Sequence, residues 1–163
     1  MNMSRVGFIL VLFEVFAGAA RAQYSNGYVF FAPGGVTCCG QTTTTLSLGV
    51  GGEVILGKGV GVGLEGGTIA LRQAIERSAL GVVSPNGYYH FVHGKDLKAD
   101  PFVTGGYTLM FRQGHANLYN FGGGLNYWFH HRLGARLEIR DHVWHRYGSS
   151  LHYWGFRFGL AFH

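Results

Sequence analysis

From residue 152 to residue 162, large and small side chains alternate. His152, Trp154, Phe156, Phe158, Leu160 and Phe162 fall on one face; Tyr153, Gly155, Arg157, Gly159 and Ala161 fall on the other. A period of two belongs to a β-strand, whose successive side chains point to opposite sides. Its length is close to the ~9–11 residues with which a tilted strand crosses the hydrocarbon of a bilayer.

The same pattern recurs upstream. Leu133, Ala135, Leu137, Ile139 and Val143 alternate with Gly134, Arg136, Glu138, Arg140 and His142. Tyr119, Phe121, Leu125, Tyr127 and Phe129 alternate with Asn120, Gly122, Gly124, Asn126 and Trp128. Val103, Tyr107, Leu109 and Phe111 face away from Thr104, Gly106, Thr108 and Arg112. Leu46, Leu48, Val50, Val54 and Leu56 face away from Ser47, Gly49, Gly51, Glu53 and Ile55, and Val60, Val62 and Leu64 from Gly61, Gly63 and Glu65. Turn-forming clusters separate these runs. Gly57–Gly59, Gly94–Asp100 and His130–Arg132 lie at one end; Val36–Gln41, Gln73–Arg77, Gln113–Ala116 and Trp144–Ser150 lie at the other. The reading predicts eight strands, at 24–32, 43–56, 60–71, 79–93, 101–112, 118–129, 133–143 and 151–162. Pro85 inside the fourth lacks an amide donor, so a bulge or break is expected there. An even number of hairpin-linked strands closes economically into an up-and-down barrel with both termini at one end.

Composition decides which face points outward. The chain has 28 glycines and only 13% charged residues, yet 47% are hydrophobic. Glycine is about twice its usual ~7% and charge about half the usual ~25%. The non-apolar face is mostly Gly, Ser, Thr and Asn with isolated Glu and Arg, and the three lysines, Lys58, Lys95 and Lys98, fall in predicted turns. A solvated exterior would carry more charge. A narrow eight-stranded interior needs small residues and a few charges that pair. The apolar, aromatic face therefore points to lipid. A secreted soluble barrel is the weaker alternative.

Residues 1–22 have the three parts of a cleavable export signal: Arg5, the apolar run Val6–Phe16, and the small-x-small site Ala20-Arg21-Ala22. Residues 23–163 are then the barrel domain. The formal net charge of +5 is scattered, with no basic stripe of the kind nucleic-acid binders carry.

The segments Phe121-Gly122-Gly123-Gly124-Leu125-Asn126-Tyr127-Trp128-Phe129 and Leu133-Gly134-Ala135-Arg136-Leu137-Glu138-Ile139-Arg140-Asp141 resemble the penultimate hairpin of small outer-membrane β-barrels of the OmpA/OmpX-like group. The aromatic C-terminal strand is similar to the signal read by the barrel-assembly machinery, with Phe162 penultimate and His163 last. The resemblance implies an eight-stranded antiparallel transmembrane barrel in the outer membrane. It also implies contact with outer-membrane lipid and lipopolysaccharide, insertion by the assembly machinery, and a monomer.

The most specific chemistry is the inward charge. Glu53, Glu65, Arg112, Arg136, Glu138, Arg140 and Arg157 are all expected in the lumen. The Gly57–Gly59 turn sets Glu53 opposite or diagonal to Glu65. Two such carboxylates require arginines reaching across. The last outer loop brings Arg157 beside Glu138 or Arg136. The expected role is a salt-bridged core in place of a hydrophobic one; a polar gate is the alternative.

His142 and His145 form H-x-x-H, but positions i and i+3 of a strand face opposite sides, so no metal site is expected. Cys38 and Cys39 fall in the first outer loop. Asp141, His145, Ser149 and Ser150 gather near the last outer loop, without the H-x-S pattern of deacylase barrels. The reading is a non-enzymatic outer-membrane barrel with a structural or surface-interaction role and no cofactor. A narrow channel comes second, and an acyl-processing enzyme further behind.

Overall fold

The computed structural model describes residues 24–38, 40–75, 79–92, 98–112, 114–146 and 149–163. The export signal, Cys39 and most of the Gly94–Asp100 turn lie outside them. The chain forms eight strands: β1 (Tyr24–Cys38), β2 (Gln41–Gly57), β3 (Val60–Leu71), β4 (Leu80–His90), β5 (Ala99–Phe111), β6 (His115–His130), β7 (Leu133–Arg146) and β8 (Ser149–Phe162). Each pairs antiparallel with its neighbours in sequence, and β8 returns to β1 through pairs such as Val29↔Leu160 and Phe31↔Phe158, closing the barrel. Closure leaves no strand wholly unpaired, which is what a sheet needs where no water can satisfy its amides.

Several boundaries differ from the expectation. β1 does not stop at residue 32 but pairs with β2 to Cys38↔Gln41, turning the predicted loop into wall. β7 and β8 likewise pair to Arg146↔Ser149. The Thr-rich segment Thr42–Thr45 and the Gly34-Gly35 pair are short side chains that let this hairpin extend. Pro85 makes no bulge: β4–β5 pairing lapses at Ser84 and Pro85 and resumes at Asn86↔Gly106 in unchanged register. The missing amide costs ladder bonds on one side only.

The alternation sorts the faces as composition requires. Phe31, Leu48, Val50, Leu64, Phe121, Ile139, Phe156 and Phe158 are exposed on the outside. Aromatics ring both ends: Tyr107, Phe111, Tyr119 and Trp154 toward one, Tyr89, Tyr127, Phe129 and Phe162 toward the other. Such girdles match the two polar–apolar boundaries of a bilayer. Placed in lipid, each outward Leu or Phe supplies roughly 1.5–3 kcal/mol relative to water.

Inside, the lumen is layered. Tyr28, Phe30, Ala32 and Ala161, from β1 and β8, form an apolar cluster against Trp128. The C-terminal His163 stacks on Trp128 with ring centroids 3.8 Å apart and caps the end bearing both termini. The final residue thus turns inward, while Phe162 keeps the outward position. A polar belt fills the middle. Ile69, Val82, Met110 and Leu118 form a second apolar cluster toward the other end.

Glycines make the belt possible. Gly124 pairs with Glu138 and Gly122 with Arg140 across β6–β7. A Cβ on Gly124 would lie 2.3 Å from the Leu137 carbonyl oxygen and 2.8 Å from the Phe102 ring. A Cβ on Gly51 would lie 2.4 Å from the Tyr28 ring. These contacts leave no room for a side chain, and overpacking typically costs about 1–3 kcal/mol or more. The replacement Gly124→Val is therefore expected to yield little of the compact, heat-modifiable form on refolding into lipid vesicles, whereas Gly66→Ala, where a Cβ meets open space, should refold like the parent. Gel mobility with and without boiling reads both.

A candidate functional site in the barrel lumen

β7 carries Arg136, Glu138 and Arg140 at alternate positions, so the backbone period alone sets all three on the inner face. β8 places Arg157 directly opposite Glu138. Glu138 thereby becomes a hub. Its carboxylate accepts from Arg136 Nε at 3.2 Å and from Arg140 Nε, and lies 3.7 Å from Arg157 Nη1.

The other two glutamates come from the facing wall. Glu53 and Glu65 are diagonal neighbours, since Glu53 pairs with Gly63 and Glu65 with Gly51. Each meets its own arginine from across the lumen. Arg136 Nη1 donates to Glu53 Oε1 at 3.3 Å. Arg157 Nη1 lies 2.8 and 2.7 Å from the two oxygens of Glu65, and Arg140 Nη1 is 3.7 Å from Glu65. Rings complete the packing: the Arg136 guanidinium lies 4.1 Å from the Tyr28 ring centroid and 4.0 Å from that of Phe102, and Arg157 lies 4.3 Å from Phe30. Buried cations over aromatic faces gain attraction as well as contact area.

Arg112 is not part of this set. It has the inward parity of β5, but β5 ends at Phe111, and Arg112 is exposed. Its Nη1 donates to the Ala79 carbonyl at 2.5 Å, binding the end of β5 to the start of β4. Parity fixes a side only while the strand lasts.

The sequence reading missed a second group beside Glu53. His90 Nδ1 lies 2.8 Å from Asp100 Oδ2, and its Nε2 lies 3.7 Å from Glu53 Oε1. Asn26 donates to Glu53 at 3.0 Å, and Asn126 donates to Asp100 at 3.2 Å. Tyr28 links the groups, with its hydroxyl 2.8 Å from that of Tyr88 and donating to Glu65 at 3.1 Å. The buried set thus holds four carboxylates (Glu53, Glu65, Asp100, Glu138) and three guanidiniums (Arg136, Arg140, Arg157). His90 is set between two of the carboxylates, Asp100 and Glu53. Asp100 was assigned to a turn, and Pro85 obscured the phase of β4; Tyr88 and His90 alternating with Tyr89 is the signal that would have found it.

The polar residues near the last outer turn form two separate pairs on the outer face. His145 Nδ1 lies 3.0 Å from Ser150 Oγ, and His152 Nδ1 lies 2.7 Å from Asp141 Oδ2. Among the described side chains, the imidazole that meets Ser150 is not the one that meets Asp141. His142 points into the lumen and His145 away from it, as H-x-x-H on a strand requires.

A closed, eight-stranded, nearest-neighbour antiparallel barrel with an apolar exterior and a charged interior is the fold of small transmembrane β-barrels. No protein-family model matches the chain, and no curated protein matches it. Solved structures do. The N-terminal β-barrel domain of Pseudomonas aeruginosa OprF is similar with a TM-score of 0.61 at 17% identity, covering 86% of this chain and 98% of that one. Neisserial surface protein A (NspA) gives 0.65 at 8% identity, covering 85% and 96%. Ail, the attachment invasion locus protein of Yersinia pestis, solved with the heparin analogue sucrose octasulfate, gives 0.52 at 10% identity, covering 85% and 97%. At these identities the likeness is one of fold.

Removing the hub takes a carboxylate from three buried guanidiniums; Arg136 keeps Glu53 and Arg157 keeps Glu65, while Arg140 keeps only Glu65 at 3.7 Å as a charged partner. Glu138→Ala is expected to cost about 3–5 kcal/mol, the usual penalty for breaking a buried pair from one side, while still allowing insertion. The urea midpoint of the heat-modifiable form in vesicles measures it. Arg112→Ala should stay within about 0.5 kcal/mol, as for other exposed positions.

Proposed function

We propose that this chain is an exported, monomeric outer-membrane barrel with a sealed lumen and a structural or surface-interaction role. The observation that carries this reading is the density of the polar belt. Arg136, Arg140, Glu65 and Glu138 are each at most 4% exposed in the middle of the lumen. The cavity beside Arg140, His142 and Arg157 holds only about 20 Å³, room for roughly one water. A hydrated ion would have to displace side chains that are paired across the barrel from two walls, and buried pairs resist such separation.

The export signal and the girdled exterior support delivery through the assembly machinery into outer-membrane lipid and lipopolysaccharide. Closure of the ladder favours a monomer. The outer connections are short, with Cys38↔Gln41 and Arg146↔Ser149 closing two of them. Little surface is left for gripping a large partner, which favours a structural anchor over an adhesin. NspA is named a surface protein and Ail an attachment protein, so this fold serves at cell surfaces elsewhere.

The competing reading is a narrow channel. In planar bilayers the purified protein is expected to give no discrete conductance steps across ±100 mV (an order-of-magnitude range for membrane potentials). Reproducible unitary openings that change size in Glu138→Gln would establish the channel instead.

A further inference from the structure

His142 stands one inward position beyond Arg140 on β7, where the polar belt ends. Beside it is a small cavity. Thr45 and Ser47 line it from β2, Arg140 and His142 from β7, and Tyr153 and Arg157 from β8. Its volume of about 20 Å³ is room for one water or one bare ion of similar size. Thr45, Arg140, His142 and Arg157 are each at most 5% exposed, so the polar part of the lining is held away from bulk water. That lining is one-sided in charge. It brings two guanidiniums, an imidazole and two hydroxyls together, and among the described residues no carboxylate joins them.

Two buried nitrogens on this lining have no protein partner among the described residues, Arg140 Nη2 and His142 Nε2. The rest of each group is engaged. Arg140 donates from Nε to Glu138 and from Nη1 to Asn120 Oδ1 at 3.2 Å. His142 Nδ1 lies 3.4 Å from the carbonyl oxygen of Tyr153. Buried polar atoms are nearly always satisfied, so both nitrogens require an occupant in the cavity.

The tautomer sets what that occupant is. A carbonyl oxygen only accepts, so Nδ1 carries the hydrogen of the neutral ring and Nε2 is then a lone pair. A proton on Nε2 turns it into a second charged donor beside Arg140. The neighbouring elements offer this ring no free anion. Asn120 faces it from β6 and Tyr153 from β8, and Thr45 and Ser47 come from β2. The nearby charges are Arg140 on its own strand, Arg157 on β8, and the carboxylates of Glu138 and Glu65, which those arginines already hold. A protonated His142 beside two guanidiniums would be an unmatched buried charge, and so would an anion beside a neutral ring. Taken up together they cancel.

We propose that this cavity binds one monatomic anion of the size of chloride, together with a proton that solvent supplies to His142 Nε2. The ion would accept from Arg140 Nη2 and from the protonated Nε2, two charge-assisted bonds that replace its hydration. The cavity's volume excludes polyatomic anions such as sulfate. The site is a blind end, and its occupancy does not depend on whether the lumen conducts.

Halide and proton binding are read together in the refolded protein in phosphatidylcholine vesicles. Sodium chloride or bromide should raise the urea midpoint above that in sodium gluconate at equal ionic strength, because a ligand held only by the folded form stabilises it. The excess should grow from about pH 8 to about pH 5, the range in which histidines change charge. In His142→Gln, whose side chain cannot take up the proton, the excess should fall several-fold and lose its pH dependence. Crystals grown in bromide should show anomalous scattering in the cavity, at hydrogen-bond distance from Arg140 and His142. Equal midpoints in chloride and gluconate at both pH values overturn the proposal. So does a halide effect that is unchanged in His142→Gln, or a bromide map with water alone in the cavity. Should His142→Gln fail to fold, the halide-against-gluconate comparison and the bromide map of the parent protein still decide.

Discussion

The ion pairs of Glu138 with Arg136 and Arg140, extended by Arg157 to Glu65, take the place that a hydrophobic core holds in a soluble protein. The barrel's exterior is satisfied by lipid, so apolar burial cannot specify what goes inside. The interior must be filled by groups that only other interior groups can satisfy. Three arginines on two adjacent strands meet three glutamates on three strands, and the pairs span the lumen. A buried charge left alone is far costlier than a buried pair. β7 and β8 are thereby held at one height relative to β2 and β3 across the lumen.

That requirement explains the glycine content. A long arginine lying across a narrow lumen needs small neighbours on the adjacent strands. Arg140 has Gly122 on one flank and Gly155 on the other, while Arg136 has Asn126 and Gly159. Glu53 and Glu65 face Gly63 and Gly51 in the same way. High glycine and low charge are two aspects of one solution: a few large charged groups at the centre, with the remaining inner positions small. Where the charges end, toward the outer mouth, the inner positions become large and apolar again, and the packing leaves a chamber.

Much of this was legible in the sequence. The period-two runs located six of the eight strands, with the first and fourth placed by the turns around them, and assigned Leu137 and Phe158 outward and Arg136 and Arg157 inward, because the alternation is a property of the backbone. Errors arose where that local rule loses its hold. Arg112 kept its phase but passed the end of its strand. Asp100 sat beside a proline and was read as a turn, which hid its partnership with His90. The Val36–Gln41 and Trp144–Ser150 segments looked like loops by composition, yet cross-strand pairing recruits them into the wall.

The sequence by itself determined the number of strands, the two faces of six of them, and most of the charges forced into the interior. These follow from alternation and from the cost of unpaired amides in lipid, and neither needs a partner strand. Only the tertiary structure decided which glutamate meets which arginine and that His90 sits between Asp100 and Glu53. Those depend on the relative heights of strands far apart in sequence. Heights are set by the stagger accumulated on closing the barrel, and no single strand carries that information.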